Sequence, residues 1–383
     1  MKKIFIVSTA RSELGLLKNI IFKLNKIRKY KISVLISGTH LSKKYGYTIN
    51  ELDNISSKNI IRFKIPIGIS SNENSVKFSV NLMKNLSALI RFEKPSALIV
   101  FGDRFEVLAI SYVGYLFKIP IVHIGGGETT SGSRDESIRH AISKLADYHF
   151  VTHNLHKKRL IQLGEKKQNI FVIGSPGVEN AKKIKIIHKK KLEKKFNFKF
   201  YKKNILISYY CVSSNKKKVI YEINQLLKSL KSFKNVRFIF TLPAFEIGSD
   251  LVKREIKKFV KLNDNAIMFK SLGTQNYISF LKYSNVILGN SSSSLIEAPE
   301  MGTNVINIGD RQKNRIKPKG VLDVPCESIK IKNAIDKSLK KKIKFQSIYP
   351  NIETSKKFSK IFSELNLKDG LFKKFYDLDF NKK

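Results

Sequence analysis

The chain has 383 residues, 42% of them hydrophobic, and a formal net charge of +43. This length exceeds one ordinary core and suits two domains. The lysines are spread through almost every segment instead of forming one stripe with aromatic residues, so we expect no nucleic-acid partner but a positive field that attracts small anionic substrates. No run approaches the roughly 20 apolar residues of a membrane span, and no membrane partner is expected.

Cysteine and histidine usage excludes the common zinc frameworks. Cys211 and Cys326 lie far apart and belong to no CxxC pair, which also excludes a disulfide framework and fits a reducing compartment. The histidines that cluster lack a carboxylate at ligand spacing, so no metal site is expected at His149, His153 and His156. The apolar run near the N-terminus, Ile4 to Val7, is too short for a signal peptide, and the expected compartment is the cytoplasm.

In the first half, short β-branched runs alternate with amphipathic stretches, as is typical of a parallel, doubly wound sheet. The predicted strands are Ile4–Ser8, Ile32–Ser37, Ala97–Phe101, Ile119–Ile124, His149–Thr152 and Ile170–Ile173. Helices are predicted between them, for example at Glu13–Ile27 and Ser79–Phe92. Residues 1–181 are therefore predicted to form a first Rossmann-like domain.

The highly charged segment 182–203 lacks β-branched alternation and is predicted to be a connector. The second half then repeats the alternation, with predicted strands at Ile205–Tyr209, Val236–Leu242, Ala266–Phe269, Val286–Leu288 and Val305–Ile308. The predicted helices are Lys216–Leu230, Ser249–Lys261, Thr274–Tyr283 and Ser293–Met301. We expect a second, nucleotide-binding Rossmann-like domain over residues 204–352, and a helical tail over residues 353–383 that could pack back on the first domain.

The predicted fold class is α/β, with two parallel sheets whose carboxyl ends face each other across a cleft. Helix N-termini and loops present backbone N–H groups to ligands at such ends. The first strand runs into the letters STARSELG and not into GxGxxG, so no dinucleotide is expected. The chemistry is predicted to use side chains alone, with no cofactor.

Two predicted strands of the first domain end at charged residues. Arg11 follows the first strand. Its guanidinium could form a bidentate hydrogen bond with a phosphate, or it could be an exposed residue at a helix start. Asp103, in the letters GDRFE, follows a buried strand, and partial desolvation there would raise its pKa towards that of a useful base. Capping of the next helix would explain Asp103 equally well, and the two roles are compatible.

The densest cluster of ionisable residues runs from His123 to His140, in the letters HIGGGETTSGSRDESIRH. Its glycines let the backbone approach a ligand closely. Asp135 and Glu136 open a predicted helix whose dipole favours their ionised forms, and His140 lies one turn after Glu136, so these two could form an acid/base pair. A plain ion pair between Asp135 and Arg139 is the alternative for that aspartate.

A serine run follows a strand of the second domain in the letters GNSSSSLIEAP. Hydroxyls and free N–H groups at a helix N-terminus favour an anion, although a serine-rich helix cap has the same composition. Glu297, one turn into that helix, is placed to accept both hydroxyls of a ribose. The loop after the next strand, with Arg311 and Arg315, adds cations.

These motifs in this order resemble the UDP-N-acetylglucosamine 2-epimerase family, most closely the hydrolysing branch that makes N-acetylmannosamine for sialic-acid synthesis. The resemblance covers nearly the whole chain and includes STARSELG, SGTHLSKKYGYT, GDRFE, GGETTSGSRDESIRHAISKLADYHF, RLIQLGE, GNSSSSLIEAP and INIGDRQKNR. It implies two Rossmann-like domains of the glycosyltransferase-B type. A sugar-nucleotide substrate and a homo-oligomer, either dimer or tetramer, are expected.

The resemblance also implies residue roles. Arg11, Ser291 and Ser292 match contacts to the nucleotide phosphates, Glu297 matches the ribose-binding glutamate, and Arg311 and Arg315 match a basic loop near the same site. Asp103 matches a carboxylate essential for chemistry, Asp135 and Glu136 match the acidic pair that opens the helix, and Glu128 matches the Glu of GGE. This chain departs from the family pattern at two places. Tyr210 stands where hydrolysing relatives usually have the histidine of Phe-His-Pro, and Gly125 stands where many have Glu or His.

The implied reaction converts UDP-N-acetylglucosamine and water to N-acetylmannosamine and UDP, through elimination to a 2-acetamidoglucal and rehydration. Asp103 or Glu136 would remove the C2 proton, and Asp135 or Glu136 would return one on the other face. Two alternatives remain: a glycosyltransferase of similar fold, and a relative that is inactive or uses another base or sugar, such as a diacetamido-trideoxyhexose. The acidic DESIRH cluster argues against the first alternative, and the departures at Tyr210 and Gly125 are the reason to keep the second beside the main interpretation.

Overall fold

A computed structural model describes residues 1–42, 47–52, 59–65, 72–212, 215–243, 248–367 and 373–378. The first domain contains a seven-stranded parallel sheet in the order β3-β2-β1-β4-β5-β6-β7. Its strands are β1 (Lys2–Ser8), β2 (Tyr30–Ile36), β3 (Ile60–Arg62), β4 (Ala97–Phe101), β5 (Ile121–Ile124), β6 (Tyr148–Val151) and β7 (Ile170–Val172). Its helices are α1 (Arg11–Asn25), α2 (Asn72–Glu93), α3 (Phe105–Leu116), α4 (Asp135–Leu145), α5 (Asn154–Gln162) and α6 (Pro176–Lys183).

The second domain contains a six-stranded parallel sheet in the order β10-β9-β8-β11-β12-β13. The strands are β8 (Lys203–Ser208), β9 (Val236–Thr241), β10 (Ala266–Phe269), β11 (Val286–Gly289), β12 (Asn304–Ile308) and β13 (Leu322–Val324). The remaining helices are α7 (Lys189–Phe196), α8 (Lys216–Leu230), α9 (Ser249–Lys261), α10 (Thr274–Tyr283), α11 (Ser292–Glu300), α12 (Ser328–Lys340) and α13 (Thr354–Glu364). The predicted fold class, two Rossmann-like domains with parallel sheets, is confirmed.

The central strands form because both of their faces are buried. In β4, Ala97 to Val100 are all fully buried, with Leu98 and Val100 in a cluster on one side of the sheet and Ala97 and Ile99 in a cluster on the other. Parallel strands covered by helices on both sides read as continuous apolar runs, which is why the sequence predicts them well. Two edge strands were not predicted, because β3 and β13 have three residues each, are only partly buried and include Arg62 and Asp323.

The segment 182–203, predicted to be a connector, contains helix α7. Leu192 is fully buried in the core of the second domain, and Phe196 and Phe198 contact Phe280 with ring centroids 5.4 and 5.2 Å apart. The lysines of α7 occupy its other faces, and because they outnumber its apolar residues the sequence does not indicate an amphipathic helix here. Most of this segment therefore packs with the second sheet.

The C-terminal part of the chain returns to the first domain. Helix α13 places Phe358 against Phe150 and Phe362 against Tyr30, with centroid distances of 4.3 and 5.3 Å. Residues 373–378 are not helical, and the Tyr376 amide donates to the Gly164 carbonyl at 2.9 Å. Within the predicted tail 353–383, residues 368–372 and 379–383 lie outside the described part of the chain.

Candidate active site

A cavity of 830 Å³ lies where the carboxyl ends of the two sheets meet. Its walls include the loops after β1, β4 and β5 of the first domain and after β8, β11 and β12 of the second. The cavity brings together most of the predicted site residues, namely Asp103, Glu128, Asp135, Tyr210, Ser291, Ser292, Glu297, Arg311 and Arg315. Its volume suits a small-molecule ligand.

Arg139 organises the acidic side of the cavity. Its side chain is almost completely buried, forms an ion pair with Asp103 and places Nη1 3.0 Å from Glu136 Oε2. It also donates to Thr130 Oγ1 at 2.9 Å and to the Glu128 carbonyl at 3.0 Å. A buried guanidinium is stable only when its donors are paired in this way. The sequence indicates Arg139 only as a possible partner of Asp135, although its i,i+3 spacing from Glu136 was an available signal of this contact.

Asp103 is held in its ionised form by this arginine. Burial alone would raise the pKa of Asp103, but the adjacent Arg139 charge and hydrogen bond lower it overall. The aspartate does not cap α3, because that helix begins at Phe105 and its N-cap residue is Arg104. The capping alternative for Asp103 is therefore wrong, and its carboxylate faces the cavity.

Asp135 differs from Asp103 although the two lie in the same cavity. Burial and the negative charge of Asp103 raise the pKa of Asp135, and the Ser133 hydroxyl donates to its Oδ2 at 2.9 Å. The helix position predicted a carboxylate stabilised in its ionised form, whereas the pKa of Asp135 is raised. Two carboxyl groups with pKa values shifted in opposite directions are the usual arrangement of an acid and a base.

Glu136 and His140 form the predicted pair, with Oε1 3.4 Å from Nε2. Neither residue lines the cavity. Burial would raise the pKa of Glu136, but the hydrogen bond from the Thr130 amide and the Arg139 charge lower it. Glu136 thus holds Arg139 and the loop that contains Thr130, behind the carboxylates that face the cavity.

Two loops join the domains across the cavity. Glu128 forms an ion pair with Arg315, Thr129 Oγ1 donates to the Asn314 carbonyl at 2.8 Å, and the Ser131 amide donates to the Lys313 carbonyl at 3.2 Å. At Gly132 any side chain would be blocked, because a Cβ atom would lie 2.0 Å from the Asp310 carbonyl oxygen. Burial would raise the pKa of Glu128, but the Arg315 charge lowers it.

The serine-lined end of the cavity is built on the N-terminus of α11. Ser291 is the N-cap residue and accepts a hydrogen bond from the Ser293 amide at 3.4 Å, while Ser292 begins the helix. Burial raises the pKa of Glu297, one turn further on. Helix α6 approaches closely at Gly177, where a Cβ atom would lie 3.1 Å from Glu297 Oε1. This end presents hydroxyls, helix N–H groups and a carboxylate to the cavity.

Tyr210 is fixed beside this end by backbone hydrogen bonds. The Asn290 amide group accepts from the Tyr210 N–H and donates to the Tyr210 carbonyl, both at 2.7 Å. The Arg311 guanidinium lies 4.8 Å from the centre of the Tyr210 ring, and Arg311 also donates to the Asn290 carbonyl at 3.0 Å. The aromatic ring therefore positions a cation at the cavity through a cation–π contact.

The turn between β1 and α1 contains a residue that sequence analysis missed. Glu13 lines the cavity, and its Oε2 accepts from the Thr9 and Ala10 amides at 2.6 and 3.1 Å. Burial raises the pKa of Glu13 to about 7. Its position three residues after the N-cap Ala10 was the available signal. Arg11 begins α1, and its side chain lies outside the described part of the structure.

Among the described residues, no group of three or more His, Cys, Asp or Glu side chains could hold a metal ion. Of the three clustered histidines, His149 pairs with Glu165, His156 with Thr152, and His153 caps α5. Across the same part of the chain, no helix is long and apolar enough to cross a membrane.

Known proteins resemble this chain in both sequence and fold. A family model described as UDP-N-acetylglucosamine 2-epimerase matches residues 23–363. A "GDP/UDP-N,N'-diacetylbacillosamine 2-epimerase (hydrolyzing)" of Campylobacter jejuni is 37% identical over 84% of this chain and 84% of its own length. "Polysialic acid biosynthesis protein P7" of Escherichia coli is 34% identical over 88% of this chain and 84% of its own. A crystal structure of UDP-GlcNAc 2-epimerase from Neisseria meningitidis, 20% identical, has a TM-score of 0.80 and covers 95% of this chain and 100% of its own.

Proposed function

Because the chain belongs to the UDP-N-acetylglucosamine 2-epimerase family, we propose that it is a hydrolysing 2-epimerase that converts a UDP-linked 2-acetamido sugar and water to the free 2-epimer and UDP. The observation that carries this proposal is the pair Asp103 and Asp135, whose pKa values are shifted in opposite directions in one cavity. The family description favours N-acetylglucosamine as the sugar, and the name of the Campylobacter relative favours a diacetamido sugar.

Departure of UDP is the first step. No carbonyl group lies beside C2 of the sugar, so its proton is only weakly acidic until the C1–O bond breaks and positive charge develops on C1. Ser291 and Ser292 at the α11 N-terminus, together with Arg311, stabilise the departing diphosphate. Glu297 holds the ribose hydroxyls at the same end of the cavity.

Asp103 then takes the proton from C2, which leaves a 2-acetamidoglucal. The Arg139 charge keeps Asp103 ionised and therefore also a weak base. A weak base suffices here because the cationic C1 has already made the C2 proton acidic.

Water adds its hydroxide to C1 of the glucal, and Asp135 gives a proton to C2 on the opposite face, which inverts that carbon. Burial and the Asp103 charge favour the protonated form of Asp135 before this step. The proton left over from water restores Asp135, and the proton on Asp103 leaves to solvent. The atoms balance as UDP-sugar plus water giving free sugar, UDP and one proton.

The test is incubation of the purified chain with UDP-N-acetylglucosamine and with a UDP-2,4-diacetamido sugar in deuterated water, followed by NMR. We expect free 2-epimerised sugar, UDP and deuterium at C2 with at least one of them. A glycosyltransferase would need an acceptor before it releases UDP from these donors. Product that keeps its original C2 proton would contradict the elimination mechanism.

A further inference from the structure

The amino-terminal ends of the strands in the first sheet form a surface on the side opposite to the active-site cavity. Four of these strands are neighbours in the order β2-β1-β4-β5, and parallel strands all begin at the same edge of a sheet. The Lys2 amide donates to the Lys29 carbonyl at 2.8 Å, which joins β1 to the loop before β2. The Leu98 amide donates to the Pro120 carbonyl at 2.9 Å, which joins β4 to the loop before β5. We call this surface, formed by Lys2 and residues 26–29, 91–96 and 115–120, the basal face.

Helices α2 and α3 end at the basal face with exposed apolar side chains. Phe92 is 85% exposed, Leu116 is 58% exposed, and Phe117 is 36% exposed. A lysine in the left-handed conformation follows each helix, Lys94 with a φ of 44° and Lys118 with a φ of 53°. Such a residue ends a helix sharply, so the apolar side chains stay at the tips of the two helices. Their exposure to water is unfavourable, and an apolar phase that covers them would stabilise the protein.

Cations accompany these apolar side chains. The exposed ones are Lys2, Arg28, Lys29, Arg91, Lys94 and Lys118. Glu93 also belongs to this face, but it forms an ion pair with Lys3. Glu364 ends α13 on the rim of the face, next to the Ser363 carbonyl that accepts from Lys29. The basal face therefore combines exposed apolar groups with an excess of positive charge.

The surface of an anionic bilayer is complementary to both features. Anionic headgroups attract lysine and arginine, and each cation near such a surface raises the binding constant on the order of fivefold. Phenylalanine and leucine side chains are stabilised at the boundary between the headgroups and the acyl chains. A second copy of this chain is a poorer partner, because two basal faces brought together would place like charges against each other.

We propose that the basal face attaches the protein to the surface of a membrane that contains anionic lipids. Phe92, Leu116 and Phe117 enter the headgroup region, and Lys94 and Lys118 contact the lipid phosphates. This attachment is independent of the proposed function. No membrane partner was predicted from sequence because no run could span a bilayer, but a protein that lies on the surface needs no such run. The cavity lies at the other ends of the strands and stays accessible to substrate.

The chain contains no tryptophan, so Phe92→Trp provides a single fluorophore at the tip of α2. We expect its emission to shift to shorter wavelength with vesicles of phosphatidylglycerol and phosphatidylcholine, because the indole leaves water, and not with phosphatidylcholine alone. Leu262→Trp is the control, because Leu262 is 81% exposed just after α9 in the second domain and its emission should not shift. No shift at position 92, or equal shifts at both positions, would overturn the proposal.

A chain with a net charge of +43 is attracted to anionic vesicles by its whole surface, so the removal of charge needs a matched control. Lys94→Asn/Lys118→Asn removes two cations and keeps the left-handed backbone, which asparagine tolerates. Lys190→Gln/Lys194→Gln removes the same charge from exposed positions on α7. In vesicle sedimentation we expect the first variant to bind at least about tenfold more weakly than the native chain, and the second less than about threefold more weakly. Equal losses would mean that attraction is diffuse, which contradicts a specific basal face.

The variant Phe92→Ser/Leu116→Ser separates a lipid surface from a second copy as the partner. We expect it to keep the native mass by light scattering and the native affinity for UDP, and to bind the anionic vesicles at least about tenfold more weakly because two apolar groups no longer leave water. Unchanged vesicle binding would overturn the proposal. A lower mass together with unchanged vesicle binding would assign the basal face to contact between copies instead.

Discussion

Asp103, Asp135 and Arg139 form one electrostatic unit, in which each charge depends on the others. Arg139 is buried and needs its carboxylate partners, and Asp103 stays ionised because Arg139 is beside it. The charge on Asp103 in turn raises the pKa of Asp135. Two identical side chains thereby acquire the opposite tendencies that a proton donor and a proton acceptor need.

This unit predicts the behaviour of Asp103→Asn. Turnover should fall at least about a hundredfold, the usual scale for loss of a general base, while UDP affinity stays close to that of the native chain. UDP binding by calorimetry reports the fold, since Glu136 still pairs with Arg139 in the variant. Near-native turnover would instead reduce Asp103 to a structural partner of Arg139.

Sequence alone predicts the charged side chains near strand ends but not the partners that set their charge. Asp103 is recognisable because it follows a strand, Asp135 because it opens a helix, and Glu297 because it lies one turn after the serine run. Arg139 and Glu13 are not, because their importance arises from burial and from contacts with distant segments. Tyr210 is similar: its contact with Arg311 joins residues far apart in the chain and is visible only in the folded structure.

Helix α4, which begins at Asp135 in the cavity, is held at its C-terminal end by Lys373. The Lys373 ammonium donates to the carbonyls of Ser143, Lys144 and Ala146 at 2.9, 2.8 and 2.7 Å. The same ammonium lies 2.5 Å from Glu165 Oε2. A cation at a helix C-terminus stabilises the helix, and here it belongs to the last described segment of the chain.

We expect Lys373→Met to lower the free energy of unfolding by about 1–2 kcal/mol, because three helix carbonyls and a buried carboxylate lose a cation that is only 24% exposed. Lys373→Arg should recover much of this stability, whereas Lys374→Met, at an exposed neighbouring position, should change it by less than about 0.5 kcal/mol. Urea unfolding measures all three. Equal effects at positions 373 and 374 would mean that the contacts to α4 contribute no stability.

Elements that are long, apolar and central could be predicted from sequence, and elements whose formation depends on a neighbour could not. The strands β1, β4 and β11 have the burial on both faces that their composition predicts. Edge strands β3 and β13 need only one partner strand and tolerate charged residues. Helix α7 was missed because an apolar stripe among many lysines is a weak signal until the phenylalanines of the second domain cover it.

For the whole molecule, the two domains meet at the loops 128–133 and 309–315 and also where α6 packs on α11. The Glu128–Arg315 pair is the charged contact between these loops, and each side chain is 11% exposed. The Arg315 charge lowers the pKa of Glu128 in the folded chain, so the pair stabilises closure above the usual glutamate pKa. This stabilisation is lost as the pH falls through the lowered value, and the domains should separate more easily in acid.

Small-angle X-ray scattering without nucleotide at neutral pH measures how closed the two domains are. Arg315→Met should increase the radius of gyration, because Glu128 would remain buried without its cation and the cleft would open to hydrate it. Lys317→Met is a matched control, since Lys317 pairs with Asp323 inside the second domain and its loss should leave the radius unchanged. The double variant Glu128→Gln/Arg315→Met should be closer to the native radius than Arg315→Met alone, because no unpaired charge remains at the contact. A single variant as compact as the native chain would mean that the other contacts between the domains, among them the hydrogen bonds of the Thr129 hydroxyl and the Ser131 amide, hold the domains closed without the ion pair.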